Sequence, residues 1–259
     1  MGSDGRGFDG TGFGGKVAIV TGSGRGLGRD YARFFGAEGA RVVVADVDGE
    51  QVAVVAEEIA AAGGEALGVA IDVTSEAAVL ALAEATVDRF SRIDILVNNA
   101  GVWGDLERHS LLEVPTDYWD LVLAVNLRGP LLCTRAAAPS MRERGWGRVV
   151  NISSMGAYMV SGVYGVSKLG LNQLTYALAA ELGGDGITVN AVAPGTIQNE
   201  ASQRQVPDAA FDKLVSASLV KRTGTSADIF GMIRYLTSDA AGWVTGQTYL
   251  VNGGFNTRL

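Results

Sequence analysis

Six short runs, Val17–Val20, Val42–Ala45, Leu67–Ile71, Ile93–Val97, Val149–Ile152 and Ile187–Val192, are rich in Val and Ile and lack regular polar alternation. A strand with one wet face alternates apolar and polar residues, so runs of this kind call for cover on both faces. Between them lie stretches with helical spacing at Gly26–Ala37, Glu50–Ala62, Ser75–Phe90, Thr116–Arg144 and Gly162–Leu182. Strand and helix in regular alternation predict a doubly wound α/β parallel sheet of about seven strands, with helices on both faces and right-handed crossovers. Residues 1–15 hold seven glycines and no periodic pattern, and are read as a flexible Gly-rich arm. No Pro-rich linker interrupts residues 16–259, which are read as one domain.

Composition then removes several kinds of chemistry. With 21 Lys and Arg against 28 Asp and Glu, the chain carries a formal charge of −7, which disfavours phosphate-rich partners such as nucleic acids. No apolar run reaches the roughly 18 residues of a membrane span, so no membrane partner is expected. The N-terminal residues lack the apolar stretch of a signal peptide. Cys133 is the only cysteine, which excludes an intramolecular disulfide and fits a reducing compartment, read as the cytoplasm. His109 is the only histidine, in a charged, loop-like stretch, and is read as a surface residue. No Cys/His zinc site can form, and no G-x-S-x-G elbow exists. Catalysis must therefore use hydroxyls, amides, Lys and carboxylates, with no metal.

In a doubly wound sheet, ligands bind at the carboxyl ends of the strands. The first strand ends in Thr21-Gly22-Ser23-Gly24-Arg25-Gly26-Leu27-Gly28, directly before a helix. Gly22, Gly26 and Gly28 allow a tight turn and a close backbone approach, and the helix start offers free N–H groups to a pyrophosphate. Gly10–Lys16 imitates a P-loop, but it precedes its strand and has Val17 where Ser or Thr is required. Asp46, at the end of the second strand, suits the ribose 2′-hydroxyl of NAD and would repel the 2′-phosphate of NADP. Arg25 leaves some room for that phosphate. Asp72 and Val73 follow the third strand, where they can meet an adenine amino group. Asn98-Asn99-Ala100-Gly101 follows the fourth, with amides able to tie strand ends together.

The fifth strand ends in Asn151-Ile152-Ser153-Ser154, and ten residues past Ser154 comes Tyr164, with Lys168 four residues further along a helix. Residues at i and i+4 share a face, so the ammonium sits near the phenol and is expected to favour its ionised form. With seven tyrosines and four lysines in the chain, only about one tenth of such a pair is expected by chance.

Thr21–Gly28, Asn98–Gly101, Asn126, Ser154, Tyr164 with Lys168, and Pro194-Gly195 together resemble the short-chain dehydrogenases/reductases of the compact, single-domain type, from about Lys16 to Gly254. The resemblance implies a Rossmann-type fold and reversible hydride transfer between NAD and an alcohol or ketone. It implies roles too. Tyr164 exchanges the proton, and Lys168 tunes Tyr164 and holds the nicotinamide ribose. Ser154 binds the substrate oxygen, and Asn126 anchors a water relay. Gly22, Arg25, Gly26, Leu27, Gly28, Asp46, Asp72, Val73, Asn98, Ala100, Gly101, Pro194, Gly195 and Ile197 complete the cofactor set. Three departures stand out: a shortened loop Met155–Val163, which leaves Ser153 as a competitor to Ser154; Asn199 in place of the usual Thr; and Asn252 in place of the usual Asp.

Met155, Tyr158, Met159, Val160 and Trp103 suggest an apolar pocket for a small alcohol or ketone, with Thr196–Ser218 as a lid. Leucines on more than one side of Gly162–Leu182 suggest burial against another subunit, and proteins of this type imply a homotetramer. Two other readings stay open: a 3-oxoacyl thioester reductase using NADPH, and a dinucleotide sensor without chemistry.

Overall fold

The computed structural model describes residues 12–103, 110–197 and 208–256. Seven strands form one parallel sheet in the order β3-β2-β1-β4-β5-β6-β7: β1 Val17–Thr21, β2 Arg41–Asp46, β3 Glu65–Ala70, β4 Ile95–Asn98, β5 Gly147–Ile152, β6 Ile187–Pro194 and β7 Thr248–Val251. The order reverses between β1 and β4, which pair from Ala18 with Ile95 to Val20 with Val97. Connections from these two strands leave in opposite directions and open a crevice at their carboxyl ends. Every residue of β1, β4, β5 and β6 is buried, as both-face cover requires. The third strand starts two residues earlier than its apolar run and is half exposed, because it is the edge of the sheet.

The helices are α1 Gly26–Ala37, α2 Gly49–Ala61, α3 Glu76–Phe90, α4 Thr116–Leu123, α5 Gly129–Arg142, α6 Gly162–Leu182, α7 Asp208–Ala217 and α8 Ser226–Leu236. The stretch expected as one helix from Thr116 to Arg144 is divided by a π-helical turn at Ala124–Arg128. Pro130 has no N–H to give the carbonyl of Asn126, so the regular ladder breaks there. Taken as a whole, Thr116–Arg142 is long and apolar enough to cross a membrane by length and composition, which corrects the expectation that no such stretch exists. Half of its most apolar window is buried inside the domain.

Two apolar layers flank the sheet. One packs α1 and α8 around Tyr31, Phe35, Phe230 and Ile233; the other packs α3, α5 and α6 around Leu82, Phe90, Met141 and Leu178. Phe13, inside the expected arm, belongs to the first layer: its ring lies 4.9 Å from that of Phe35, and its N–H donates to Glu38 O at 2.7 Å. Cys133 is buried and its thiol is pushed up to about 12 by desolvation, so it is an inert packing residue. His109 lies outside the described residues.

Candidate active site

The crevice is held open by hydrogen bonds between the ends of β1 and β4. The Thr21 hydroxyl accepts from the N–H groups of Asn99 and Ala100, both at 3.1 Å. The Asn99 carboxamide donates to Thr21 O at 3.0 Å and to Gly22 O at 2.9 Å. Gly22 and Gly26 have φ of +64° and +57°, which L side chains rarely adopt. Gly28 is required by space: a Cβ there would lie 2.1 Å from Gly22 O and 2.4 Å from Asn99 Nδ2. Gly28→Ala is expected to cost at least about 2 kcal/mol of stability, and to weaken NADH binding at least tenfold, read by thermal melting and fluorescence titration. Wild-type melting and affinity in that variant would refute the packing argument.

Helix α1 starts without a side-chain cap and without an acidic residue in its first turn. Its N–H groups and positive dipole end are therefore left for an anion. Arg25 is exposed beside them, and Leu27 packs partly into the core. At the end of β2, the Asp46 carboxylate accepts from Gly24 N at 2.9 Å and from Asp48 N at 3.2 Å. Asp72 is exposed and accepts from the N–H and hydroxyl of Thr74, both at 2.8 Å, while Val73 is buried beside Gly129.

The Asn98 amide ties strand ends together, as its place at the end of β4 leads one to expect. It is buried, and its Nδ2 donates to Asn151 Oδ1 at 2.8 Å and to Thr134 at 3.3 Å. Asn151 donates in turn to Thr175 of α6 at 2.9 Å. The side chain thus ties β4 to β5 and to the helix that bears Tyr164, underneath the crevice.

At the end of β5 the backbone sends successive side chains to opposite faces. Ser153 points inward and is buried, donating to Lys168 O at 3.4 Å. Ser154 lies beside the Tyr164 ring, both reaching the space over Gly156, and accepts from Gly156 N at 3.0 Å. Ser154, and not the inward Ser153, is thus the serine beside the phenol ring. A 3₁₀ turn at Met155–Tyr158 takes up that loop, and a Cβ on Gly156 would already be 3.1 Å from the Tyr164 ring.

Tyr164 and Lys168 are both buried on α6. The Lys168 ammonium donates to Ile152 O at 2.9 Å and lies 5.8 Å from the centre of the Tyr164 ring. Burial pushes the phenol up to about 12, opposed by the hydroxyl of nearby Ser154, and pushes the lysine down to about 8. The expected lowering of the phenol by its neighbour is thus not met in the chain by itself: desolvation raises it, and the ammonium is turned towards a backbone carbonyl. Asn126 sits in the π-helical turn. It donates to Ser167 Oγ at 3.1 Å and Val102 O at 3.3 Å, and accepts from Val102 N at 2.8 Å. Gly101 lies against it: a Cβ there would be 3.3 Å from Asn126 Oδ1 and 3.5 Å from Lys168 Nζ. The Asn99 amide ties β1 to β4 as its motif suggests, whereas Ser167 carries no signal in the sequence beyond its place beside Lys168.

Beyond β6, Gly195 donates to Val251 O at 2.9 Å and packs on Asn252, whose Cα a Cβ would approach to 2.5 Å. Asn252 accepts from Gly254 N at 3.0 Å, so the amide serves its turn without a carboxylate. Buried Ile197 pairs with Gly224. A hollow of about 120 Å³ opens between Thr196, Ile197, Val215 and the Val251–Gly253 turn, and neither Ser154 nor Tyr164 lines it. Of the expected lid Thr196–Ser218, α7 is described, whereas Asn199 lies outside the described residues. Among the described residues no group of His, Cys, Asp and Glu is suited to a metal.

A family model described as Enoyl-(Acyl carrier protein) reductase matches residues 22–256. An uncharacterized oxidoreductase of Mycobacterium tuberculosis is 45% identical over 242 residues, covering 93% of this chain and 98% of the relative. The BbsD subunit of a (2S)-[(R)-hydroxy(phenyl)methyl]succinyl-CoA dehydrogenase of Thauera aromatica is 40% identical over 242 residues, covering 92% and 96%. A crystal structure from Agrobacterium tumefaciens, described provisionally as a gluconate dehydrogenase, superposes with a TM-score of 0.89 at 34% identity, covering 96% of this chain and 99% of that one. The chain belongs to the short-chain dehydrogenase/reductase family and is an oxidoreductase. The family's cofactor is NAD or NADP. The residues present fit such a dinucleotide: an uncapped helix start, a turn in which Gly28 has no room for a side chain, and a buried ammonium bonded to a carbonyl.

Proposed function

We propose that this oxidoreductase uses NAD to interconvert a small apolar secondary alcohol and its ketone, without a metal. The observation that carries the reading is the convergence of Ser154, Tyr164 and Lys168 at the carboxyl end of β5, with Tyr164 buried and Ser154 beside its ring. When bound, the nicotinamide accepts or supplies the hydride. The chain's own residues manage the proton and the charge. Ser154 donates to the substrate oxygen and stabilises the charge that develops there. Tyr164 Oη exchanges the proton with that oxygen. Lys168 sits close enough to favour the ionised phenol once its ammonium turns away from Ile152 O, and burial has already brought its own proton near release. Asn126, fixed by Val102 and Ser167, positions the water that returns the proton to Lys168.

Asp46 supports NAD over NADP, since its carboxylate is fixed at the end of β2 where a ribose 2′-hydroxyl can donate to it. A hydrogen bond to a charged group contributes about 1.5–3 kcal/mol. NADH is therefore expected to quench the tryptophan fluorescence at least tenfold more tightly than NADPH, and Asp46→Ala to narrow that difference by about tenfold. A wild-type preference for NADPH would overturn the cofactor assignment.

Trp103, Met159 and Val160 are exposed apolar residues on the loops around the site. Arg222 pairs with Asp228, and Lys221 donates to Ser216 O and Ser218 O, so neither is left to seat an anionic carrier. Both features support an uncharged, apolar substrate. The thioester in the name of the Thauera relative favours a second reading, reduction of a ketone carried on a thioester. A panel of free ketones beside acetoacetyl-CoA separates the two. Exposed Val166, Leu169 and Tyr176 on α6 support the homotetramer, for which light scattering at the monomer mass is the contrary result.

A further inference from the structure

We propose that Gly24 is a specificity-determining residue: its missing side chain seats the Asp46 carboxylate, and that seat decides which dinucleotide the crevice prefers. The inference rests on the reading of Asp46 given above. Unlike Gly22 and Gly26, Gly24 does not have a positive φ, so the backbone does not ask for glycine there. The space around it does. A Cβ on Gly24 would lie 3.2 Å from both Cγ and Oδ2 of Asp46, and 3.1 Å from Gln51 Cβ on α2. A side chain turned from the one meets the other. Without it, the carboxylate rests on the turn, with Oδ2 accepting from Gly24 N at 2.9 Å and Oδ1 from Asp48 N at 3.2 Å. Donors from two segments thus fix both the position and the direction of the charge.

The next residue carries the opposite preference. Arg25 is exposed, and among the described residues no acidic side chain pairs with it. The same turn therefore holds a fixed carboxylate that repels a 2′-phosphate and a guanidinium suited to binding one. Their balance depends on Asp46 staying seated. A side chain at position 24 lifts the carboxylate from its two donors, lets it swing into water, and leaves Arg25 to act alone.

The test is the ratio of NADH to NADPH dissociation constants, by tryptophan fluorescence, for the wild type, Gly24→Ala, Gly24→Val and Gly24→Val/Arg25→Ala. The preference for NADH is expected to fall a few-fold with Ala and about tenfold with Val, with NADPH bound more tightly than by the wild type. Removing Arg25 should abolish that gain. A turn that is merely damaged weakens both dinucleotides alike. An unchanged ratio in Gly24→Val, with wild-type preference for NADH, overturns the role of Gly24 alone. A wild type with no preference for NADH overturns the reading of Asp46, and this inference with it.

Discussion

Lys168→Met is expected to make the dinucleotide-free protein more stable at neutral pH while abolishing turnover. The Lys168 ammonium is buried with a single backbone carbonyl, Ile152 O, as its hydrogen-bond acceptor. Burial lowers its pKa from 10.5 to about 8, which corresponds to roughly 3 kcal/mol against the charged form. The sign follows from proton binding. Between pH 8 and 10.5 the unfolded chain holds a proton on this lysine that the folded chain has lost, so stability rises with pH across that window. Below pH 8 the whole penalty is present. Methionine removes it with similar volume but forfeits the bond to Ile152 O, about 1 kcal/mol, leaving a net gain near 2 kcal/mol at pH 7. Denaturant titrations at pH 7 and pH 10 should show that gain shrinking as pH rises. A variant less stable than the wild type at pH 7, or a difference insensitive to pH, contradicts this account of the ammonium. Retention of a destabilising group is understandable if the group serves chemistry and not the fold.

Tyr164→Phe is expected to lower kcat about a thousandfold or more, as general acid–base catalysis by a positioned group allows, with NADH affinity changed less than about twofold. The ring is buried against Gly156, so phenylalanine keeps the packing and loses only the hydroxyl that meets Ser154. Steady-state rates beside fluorescence titrations separate the two effects. A variant that keeps a tenth of wild-type turnover shows that the proton passes elsewhere.

Much of this site was legible because its chemistry forces local patterns. Gly22, Gly26 and Gly28 follow from a turn that reverses the chain between β1 and α1. Tyr164 and Lys168 follow from helical spacing, and Asp46 from its place at a strand end. Other features depend on packing that no local pattern carries. Asn98 and Asn99 are adjacent amides, yet one is buried beneath the crevice and the other lines its rim, according to which face of the chain each occupies. The sequence places a cation four residues from a phenol, but whether the pair is charged depends on burial and on the Ile152 carbonyl, both products of the tertiary fold. Phe13 looked like part of a Gly-rich arm because its partner, Phe35, is on α1 and distant in sequence. The π-helical turn required recognising what Pro130 withholds from Asn126.

The most direct test of hydride transfer in this crevice uses NADH deuterated at its transferable nicotinamide position. The wild-type protein, dialysed against a chelator, is mixed with this NADH and a panel of cyclic and long-chain ketones, and the product alcohols are analysed by mass spectrometry. Deuterium on the carbinol carbon of at least one product, absent with Tyr164→Phe, is the expected result. Alcohol formed without the label, or formed equally by Tyr164→Phe, would contradict the account.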